Sequence, residues 1–260
     1  MCLIAVAAGQ DPDYPLALIA NRDELHARPS APAGPDPACP QLHGGRDLAQ
    51  GGSWLMVSRL GRLAAVTNVR VRPLDASHPR SRGALVRGFV ASDEQGDGWL
   101  DKLAPVAAEY GPFNLLLWDG SSLRFASNHP RFETSPVASG LHAVSNGAFD
   151  APWPKSNLAS RALAAWMDNG LPASARDADV APLLDALADQ TPAPDAALPD
   201  TGIGLELERR LSPPFVRDAR YGTRCSTVVL VQAHGIRFVE RRFDADARVL
   251  GESDAWLPLA

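Results

Sequence analysis

The chain has 260 residues, of which 45% are hydrophobic and 21% charged, a composition typical of a folded globular protein. Its formal net charge of -5 argues against a duplex-binding surface, because neutralising phosphates requires clustered lysine and arginine. We therefore expect no nucleic-acid partner.

The cysteines and apolar runs indicate the cellular compartment. Cys2, Cys39 and Cys225 are odd in number and widely spaced, which argues against a disulfide framework and favours a reducing compartment. The apolar run Cys2–Ala8 has no basic residue before it and is too short for a secretory signal. No later run approaches the roughly 18 apolar residues of a membrane span. We expect a cytoplasmic protein with no stable membrane insertion.

The first 70 residues are rich in strand patterns. The runs Cys2–Ala8 and 16–20, separated by a turn-rich segment, predict a β-hairpin at the start of the chain. Residues 28–40 contain five prolines and predict an extended surface loop. Residues 54–58 and 63–69 predict a second hairpin.

Helical and strand patterns alternate through the rest of the chain. Ser81 is placed to cap a helix that runs to about residue 91. Further helices are predicted at residues 99–110, 154–168 and 180–188, and further strands at 114–118, 123–126, 141–144, 226–232 and 236–242. Strands at both ends with helices between them favour two sheets covered by helices. No linker or repeat divides residues 1–260, so we predict one domain.

Cys2 is the residue that carries the most chemical information. Removal of the initiator methionine would leave it as the first residue, with a free α-amine. Its thiol can then attack a substrate, and its own α-amine, with a pKa near 8, can accept the proton. The alternative is an ordinary buried cysteine at the start of an apolar strand.

Four polar residues, Asn21, Arg22, Asp23 and Glu24, directly follow the second apolar run. Consecutive strand residues point to opposite faces, so Arg22 and Asp23 face opposite ways, and the sequence does not decide which faces the thiol. An arginine–carboxylate pair there could lower the pKa of a nearby thiol or orient a nucleophile. A structural salt-bridge network at the sheet edge is the alternative.

Three further polar residues stand at strand ends. Asn68 and Asn146 each follow a strand-like run, where a side-chain amide can stabilise an oxyanion or can simply cap a turn. Arg224 precedes the last predicted hairpin and could hold a substrate anion or a thiolate. The six histidines lack the spacing of metal ligands, so we predict no metal site.

Taken together, these segments resemble the transport and Golgi organisation protein two family, also called the NRDE family after residues 21–24. The resemblance runs in the family's order over nearly the whole chain. The matching segments are Met1-Cys2, residues 20–24 with Arg28-Pro29, 45–48, 51–55, 67–70, 81–83, 113–115, Ser145-Asn146, 152–155, 198–202 and 221–224.

The resemblance implies an α+β fold related to the N-terminal nucleophile (Ntn) hydrolases, a four-layer αββα sandwich of two antiparallel sheets. It also implies site residues by analogy with the cysteine amidases that cleave penicillin V and conjugated bile salts. Cys2 would be the nucleophile. The other catalytic positions implied are Arg22, Asp23, Asn68, Asn146 and Arg224.

Our leading hypothesis is an Ntn-type hydrolase that acts on an amide or thioester of an apolar acyl compound, with links to lipid or haem metabolism. Asn21, Glu24, Trp54 and Arg70 are the predicted substrate-binding residues. No cofactor is required. The alternative hypothesis is a non-catalytic carrier that binds haem, a lipid or acyl-CoA in the same pocket, although the chain has no CxxCH haem-attachment motif.

The N-terminal nucleophile hypothesis requires removal of Met1. We expect the intact mass of the purified protein to correspond to loss of Met1 and to no other processing. Activity in a preparation that retains Met1 would contradict a role for the α-amine of Cys2 as base.

Overall fold

The computed structural model describes residues 2–71 and 78–260. The strands in these ranges are β1 (Cys2–Ala8), β2 (Leu16–Leu25), β3 (Ser30–Asp36), β4 (Cys39–Asp47), β5 (Leu55–Ser58), β6 (Leu63–Asn68), β7 (Phe113–Trp118), β8 (Leu123–Ser127), β9 (Glu133–Pro136), β10 (Gly140–Val144), β11 (Tyr221–Gln232), β12 (Gly235–Phe243) and β13 (Val249–Pro258). The α-helices are α1 (Arg82–Val90), α2 (Gly96–Leu103), α3 (Pro154–Asp168), α4 (Ala181–Leu187) and α5 (Leu205–Arg210).

The strands form two antiparallel sheets. One sheet has six strands in the order β10-β1-β2-β11-β12-β13, and the other has seven in the order β3-β4-β5-β6-β7-β8-β9. The two sheets pack face to face over one apolar cluster. Helices α3 and α4 cover the outer face of the six-stranded sheet, and α1 and α2 cover the outer face of the seven-stranded sheet. The expected α+β four-layer αββα sandwich is therefore confirmed.

Strand alternation decides which residues reach the layer between the sheets. On β1, Ile4 and Val6 belong to the cluster between the sheets, whereas Leu3 and Ala5 pack against the helices. Because successive strand side chains point to opposite faces, every even-numbered residue of β1 shares the inner face. In the described part of the chain, no helix has the length and apolar character needed to cross a membrane.

Several predicted elements are confirmed. The N-terminal hairpin forms β1 and β2, and residues 54–58 and 63–69 form β5 and β6. Ser81 caps α1, since its hydroxyl accepts a hydrogen bond from the Gly83 amide. Helix α3 has the predicted bounds. All of these segments have strong apolar periodicity or a capping residue, and packing reinforces both signals.

Two predictions were wrong in detail. Residues 28–40 are not a loop, because Ser30–Asp36 forms β3 and β4 begins at Cys39. Proline is tolerated there because β3 is an edge strand, where a missing amide hydrogen costs no ladder hydrogen bond. The helix predicted at 99–110 begins earlier, at Gly96, and becomes a 3-10 helix over Ala104–Glu109.

A close approach of two glycines fixes the start of α1 against the β4–β5 connection. A Cβ atom added to Gly52 would lie 2.5 Å from the carbonyl carbon of Gly83. The Ser53 amide donates to the Gly83 carbonyl at 3.2 Å in the same contact. Since backbone meets backbone, a side chain at position 52 has no flexible neighbour to displace.

We therefore expect Gly52→Ala to lower the free energy of unfolding by about 1–3 kcal/mol, the usual cost of overpacking. Urea unfolding of the variant measures this change. Gly34→Ala is the matched control, because a Cβ atom there meets nothing within 4 Å. Equal urea midpoints for the two variants would contradict the close-packing argument.

Candidate functional site

Cys2 lies at the start of β1, on the inner face that it shares with Ile4. It is partly exposed and lines a cavity of about 270 Å³. The Ser145 hydroxyl donates to the Cys2 carbonyl at 2.9 Å, which fixes the backbone of the first described residue. The structure thus places the thiol at the open end of the layer between the sheets. Met1 lies outside the described residues.

Arg22 is directly opposite Cys2 in the pairing of β1 with β2. It is buried on the same inner face, and its guanidinium lies 4.3 Å from the centre of the Trp54 ring. One of its nitrogens donates to the Ser30 hydroxyl at 2.9 Å. The structure therefore decides which of Arg22 and Asp23 lies on the same face of the sheet as the thiol. Arg22 shares the face of the thiol, and Trp54 and Ser30 hold its guanidinium.

Asp23 points to the helical side of the sheet. Its carboxylate accepts a hydrogen bond from the Thr223 hydroxyl at 2.6 Å, and its backbone carbonyl accepts one from the Tyr221 hydroxyl at 3.0 Å. The residue is buried, and burial raises the pKa of its carboxyl group while the charge of Lys155 lowers it. Because the cavity wraps around the end of β2, Asp23 also lines it.

Lys155 is a buried cation behind Asp23. It lies in the first turn of α3 and donates to the Leu211 carbonyl at 3.1 Å. Burial lowers its pKa to about 8, although the nearby Asp23 carboxylate acts in the opposite direction. A buried ammonium is costly unless it is paired, so the Lys155 charge depends on Asp23.

Two asparagines connect the sheets beside the thiol. The Asn146 side-chain amide donates to the Asn68 backbone carbonyl at 2.9 Å and to the Asn68 side-chain oxygen at 3.0 Å. Asn146 is buried and is not among the residues that line the cavity, whereas Asn68 lines it. Asn146 therefore holds Asn68, and Asn68 presents its own amide to the cavity.

A second and larger cavity adjoins the first. Its volume is about 550 Å³, and the two cavities share Glu24, Arg28, Asn68 and Arg82. Apolar side chains form much of its wall: Leu25, Ile203, Leu207, Leu211 and Val216. The polar cavity that contains the thiol thus adjoins a larger cavity with a more apolar wall.

Some of the remaining predicted site residues line the two cavities, and others form contacts elsewhere in the fold. Glu24 lines both cavities, Trp54 lines the thiol cavity, and Arg70 lines the larger cavity while paired with Glu208 at 2.7 Å. Asn21 instead faces the helical layer, where its amide donates to the carbonyls of Leu187 and Pro214.

Arg224 is also separate from the thiol cavity. It lies in a bulge of β11, and one guanidinium nitrogen donates to the backbone carbonyls of Leu25, His26 and Arg28 at 2.9–3.2 Å. It lines a different cavity, of about 180 Å³, on the far side of Arg22 and Trp54. In this arrangement Arg224 stabilises the connection between β2 and β3.

Burial raises the pKa of the Cys2 thiol above its ordinary value, and the opposing positive charges of the chain's N-terminus and then of Arg22 do not outweigh it. The lowering of the thiol pKa that the sequence suggested is therefore not found. The thiol is therefore protonated at neutral pH. Any nucleophilic role requires a base that removes the proton during attack. Among the described residues, no three His, Cys, Asp or Glu side chains are grouped so as to hold a metal ion.

Sequence reasoning assigned no role to three residues that the structure brings into the site. Lys155 supports Asp23, Arg82 lines both cavities, and Thr67 lines the thiol cavity while its hydroxyl donates to the Ser145 carbonyl at 2.6 Å. One sequence signal was available for Lys155, because the chain has only two lysines. Arg82 and Thr67 lie in matching segments but have no distinctive spacing.

A sequence profile for Transport and Golgi organisation 2 matches residues 1–245. The chain belongs to this family. Curated relatives agree with the Transport and Golgi organisation 2 assignment. The Bos taurus Transport and Golgi organization protein 2 homolog is 35% identical over 246 residues, covering 88% of this chain and 86% of the relative. The Homo sapiens homolog is 33% identical over 243 residues with the same coverage.

Two solved structures are similar to this Transport and Golgi organisation 2 member to different degrees. The Caenorhabditis elegans ortholog of N-acylethanolamine-hydrolyzing acid amidase has a TM-score of 0.50 at 10% identity, covering 88% of this chain and 92% of that one. The C2A mutant of conjugated bile acid hydrolase from Clostridium perfringens has a TM-score of 0.46 at 8% identity, covering 99% and 92%. At 10% identity, the likeness to the Caenorhabditis elegans amidase shows a shared fold, as the sequence led us to expect.

The buried lysine generates a pH prediction for this family member. Because the folded-state pKa of Lys155, about 8, lies below its ordinary value of 10.5, the unfolded chain binds more protons between those values. Stability therefore rises with pH across that window. Between pH 7 and pH 10 we expect the wild type to gain about 2 kcal/mol relative to Lys155→Met.

Urea unfolding of both proteins at the two pH values measures the difference. Lys102→Met is the matched control, because the Lys102 side chain is 71% exposed. The wild type should not gain stability relative to Lys102→Met between the two pH values. A pH-independent difference between wild type and Lys155→Met would show that Lys155 is not a desolvated cation in the folded protein.

Proposed function

We propose that this protein is an N-terminal cysteine hydrolase that cleaves an amide or thioester of an apolar acyl compound. One observation carries the proposal. The Cys2 thiol lines a polar cavity that continues, through shared wall residues, into a larger apolar one. The acyl chain occupies the apolar chamber and brings its carbonyl carbon to the thiol. The fold shared with the Caenorhabditis elegans amidase supports hydrolysis of this type at the level of fold.

The first step is nucleophilic attack. After removal of Met1, the Cys2 α-amine accepts the thiol proton as sulfur bonds to the carbonyl carbon. An amine with a pKa near 8 suits this task, because the thiol itself is protonated at neutral pH. Asp23 stabilises the resulting ammonium, and Lys155 moderates the carboxylate charge.

The second step is collapse of the tetrahedral intermediate. Its oxyanion accepts a hydrogen bond from the Asn68 side-chain amide, which Asn146 holds in place. The carbon–nitrogen or carbon–sulfur bond breaks, and the leaving group takes the proton from the ammonium. Water then hydrolyses the Cys2 thioester by the same route, which releases the acid and restores the thiol.

Replacement of Cys2 tests this mechanism. We expect Cys2→Ser to fold normally and to hydrolyse N-lauroyl-p-nitroanilide slower by a factor on the order of 10², because a hydroxyl ionises far less readily than a thiol. Release of p-nitroaniline measures the rate. Cys39→Ser is the control, since this partly buried thiol packs in the outer helical layer and does not line the Cys2 cavity. Equal rates for wild type and Cys2→Ser would contradict the nucleophile assignment.

A non-catalytic carrier is the second candidate function. Two observations favour it: burial keeps the thiol protonated, and the Asn146 amide hydrogens are already engaged by Asn68. A carrier would bind haem, a lipid or an acyl compound in the same two chambers. For haem, it predicts a saturable Soret shift near one equivalent that Cys2→Ala abolishes if the thiolate is the axial ligand. Saturable binding without turnover of any acyl amide or thioester would favour the carrier over the hydrolase.

A further inference from the structure

One arginine on the walls of the two adjoining cavities differs from the others in its ion pairing. The arginines along their walls are Arg22, Arg28, Arg70, Arg82 and Arg210. Four of these form ion pairs: Arg22 with Glu24, Arg28 with Asp47, Arg70 with Glu208, and Arg210 with Asp218. Arg82 is the exception, because in the described part of the chain no carboxylate forms an ion pair with it.

Arg82 lies where the two cavities meet. It lines both of them, and one of its nitrogens donates to the Pro112 backbone carbonyl at 3.0 Å. A guanidinium has five donors in a planar fork that matches the oxygens of a carboxylate or phosphate. A single carbonyl therefore leaves most of these donors, and the whole positive charge, available to a ligand.

The backbone around Arg82 is held rigidly. Ser81 caps α1, and Gly83 packs against the backbone of Gly52 and Ser53 at separations that exclude a Cβ atom. A half-buried charge without a partner is unfavourable. We therefore expect a ligand anion to pair with the Arg82 guanidinium. The main chain that carries Arg82 is therefore already ordered, so little of its conformational freedom remains to be lost on binding.

We propose that Arg82 binds an anionic group, a carboxylate or a phosphate, on the leaving-group side of the acyl substrate. This inference rests on the proposed hydrolase function and specifies its substrate class. The acyl chain fills the apolar chamber and the carbonyl lies at the thiol. The departing portion then remains in the polar chamber, which Arg82 lines at its junction with the apolar one. Arg82 is accordingly the specificity-determining residue for anionic acyl conjugates over neutral ones.

The competing explanation is that the Arg82 guanidinium stabilises the thiolate form of Cys2. Burial lowers the pKa of Arg82, whereas the nearby Cys2 thiolate and Glu24 carboxylate raise it, so the cation and the thiol influence each other. A residue that only supports the thiolate would affect all substrates equally. A residue that binds the substrate anion would affect anionic substrates alone. The two explanations therefore predict different patterns of substrate selectivity.

Matched substrate pairs separate these explanations. One pair is N-lauroylglycine and its neutral amide, N-lauroylglycinamide; the other is N-lauroyl-O-phosphoethanolamine and N-lauroylethanolamine. We expect the wild type to show a kcat/KM about tenfold or more higher for the anionic member of at least one pair. The pair with the larger ratio identifies carboxylate or phosphate as the preferred group.

Arg82→Gln should reduce this ratio to near one by slowing the anionic member much more than the neutral member. Arg82→Lys, which keeps the charge but loses the fork, should retain part of the ratio. Arg131→Gln is the control for loss of one positive charge, because the Arg131 side chain is 83% exposed. Equal slowing of both members by Arg82→Gln, with a normal urea midpoint, would overturn the proposal and leave the hydrolase function intact. A wild-type ratio near one would also overturn it.

Measuring ligand binding to the Cys2→Ala protein tests the anion site without requiring turnover. Calorimetric titration should give a tighter Kd for N-lauroylglycine or N-lauroyl-O-phosphoethanolamine than for the neutral partner, and Arg82→Gln in the same background should remove that difference. If the wild type hydrolyses none of the four compounds but this Arg82-dependent difference persists, the hydrolase function fails and the anion site stands. If no difference in Kd exists, the anion site fails.

Discussion

The structure of the site depends on the register between β1 and β2. Pairing of Cys2 with Arg22 puts a thiol and a guanidinium on the same inner face, at the open end of the layer between the sheets. If β1 shifted by one residue against β2, the thiol would point toward the helices. The apolar side chains of Ile4 and Val6 would then also leave the layer between the sheets. The apolar core therefore fixes the position of the Cys2 thiol, because burying these side chains enforces one register.

Polar groups at one end of this apolar layer join the two sheets. Asn146 follows β10 of one sheet and holds Asn68 at the end of β6 of the other. Thr67 adds a second connection through the Ser145 carbonyl. Buried polar groups are tolerated because each of these is hydrogen-bonded, and together they specify one arrangement of the sheets around the thiol. Rigidity of the site thus follows from the same contacts that close the sandwich.

Strong local patterns made part of this arrangement predictable. Two short apolar runs separated by a turn-rich segment predicted the β1–β2 hairpin, and helical spacing ending before Gly170 predicted α3. Strand β3 was not predictable, since proline is compatible with a strand only at a sheet edge, and edge position is a property of the whole sheet. The separation of Arg224 from the thiol follows from a bulge in β11, and the burial of Lys155 follows from packing of α3, neither of which leaves a local signal.

The central claim is that the Cys2 sulfur carries the acyl group during turnover. The most direct measurement is mass spectrometry of peptides after brief reaction with N-lauroyl-p-nitroanilide and acid quenching, which preserves thioesters. Our account predicts a lauroyl adduct on the N-terminal peptide that begins at Cys2, which forms and decays with turnover and is absent in Cys2→Ala. Continued release of p-nitroaniline with no adduct on that peptide at any time would contradict the account.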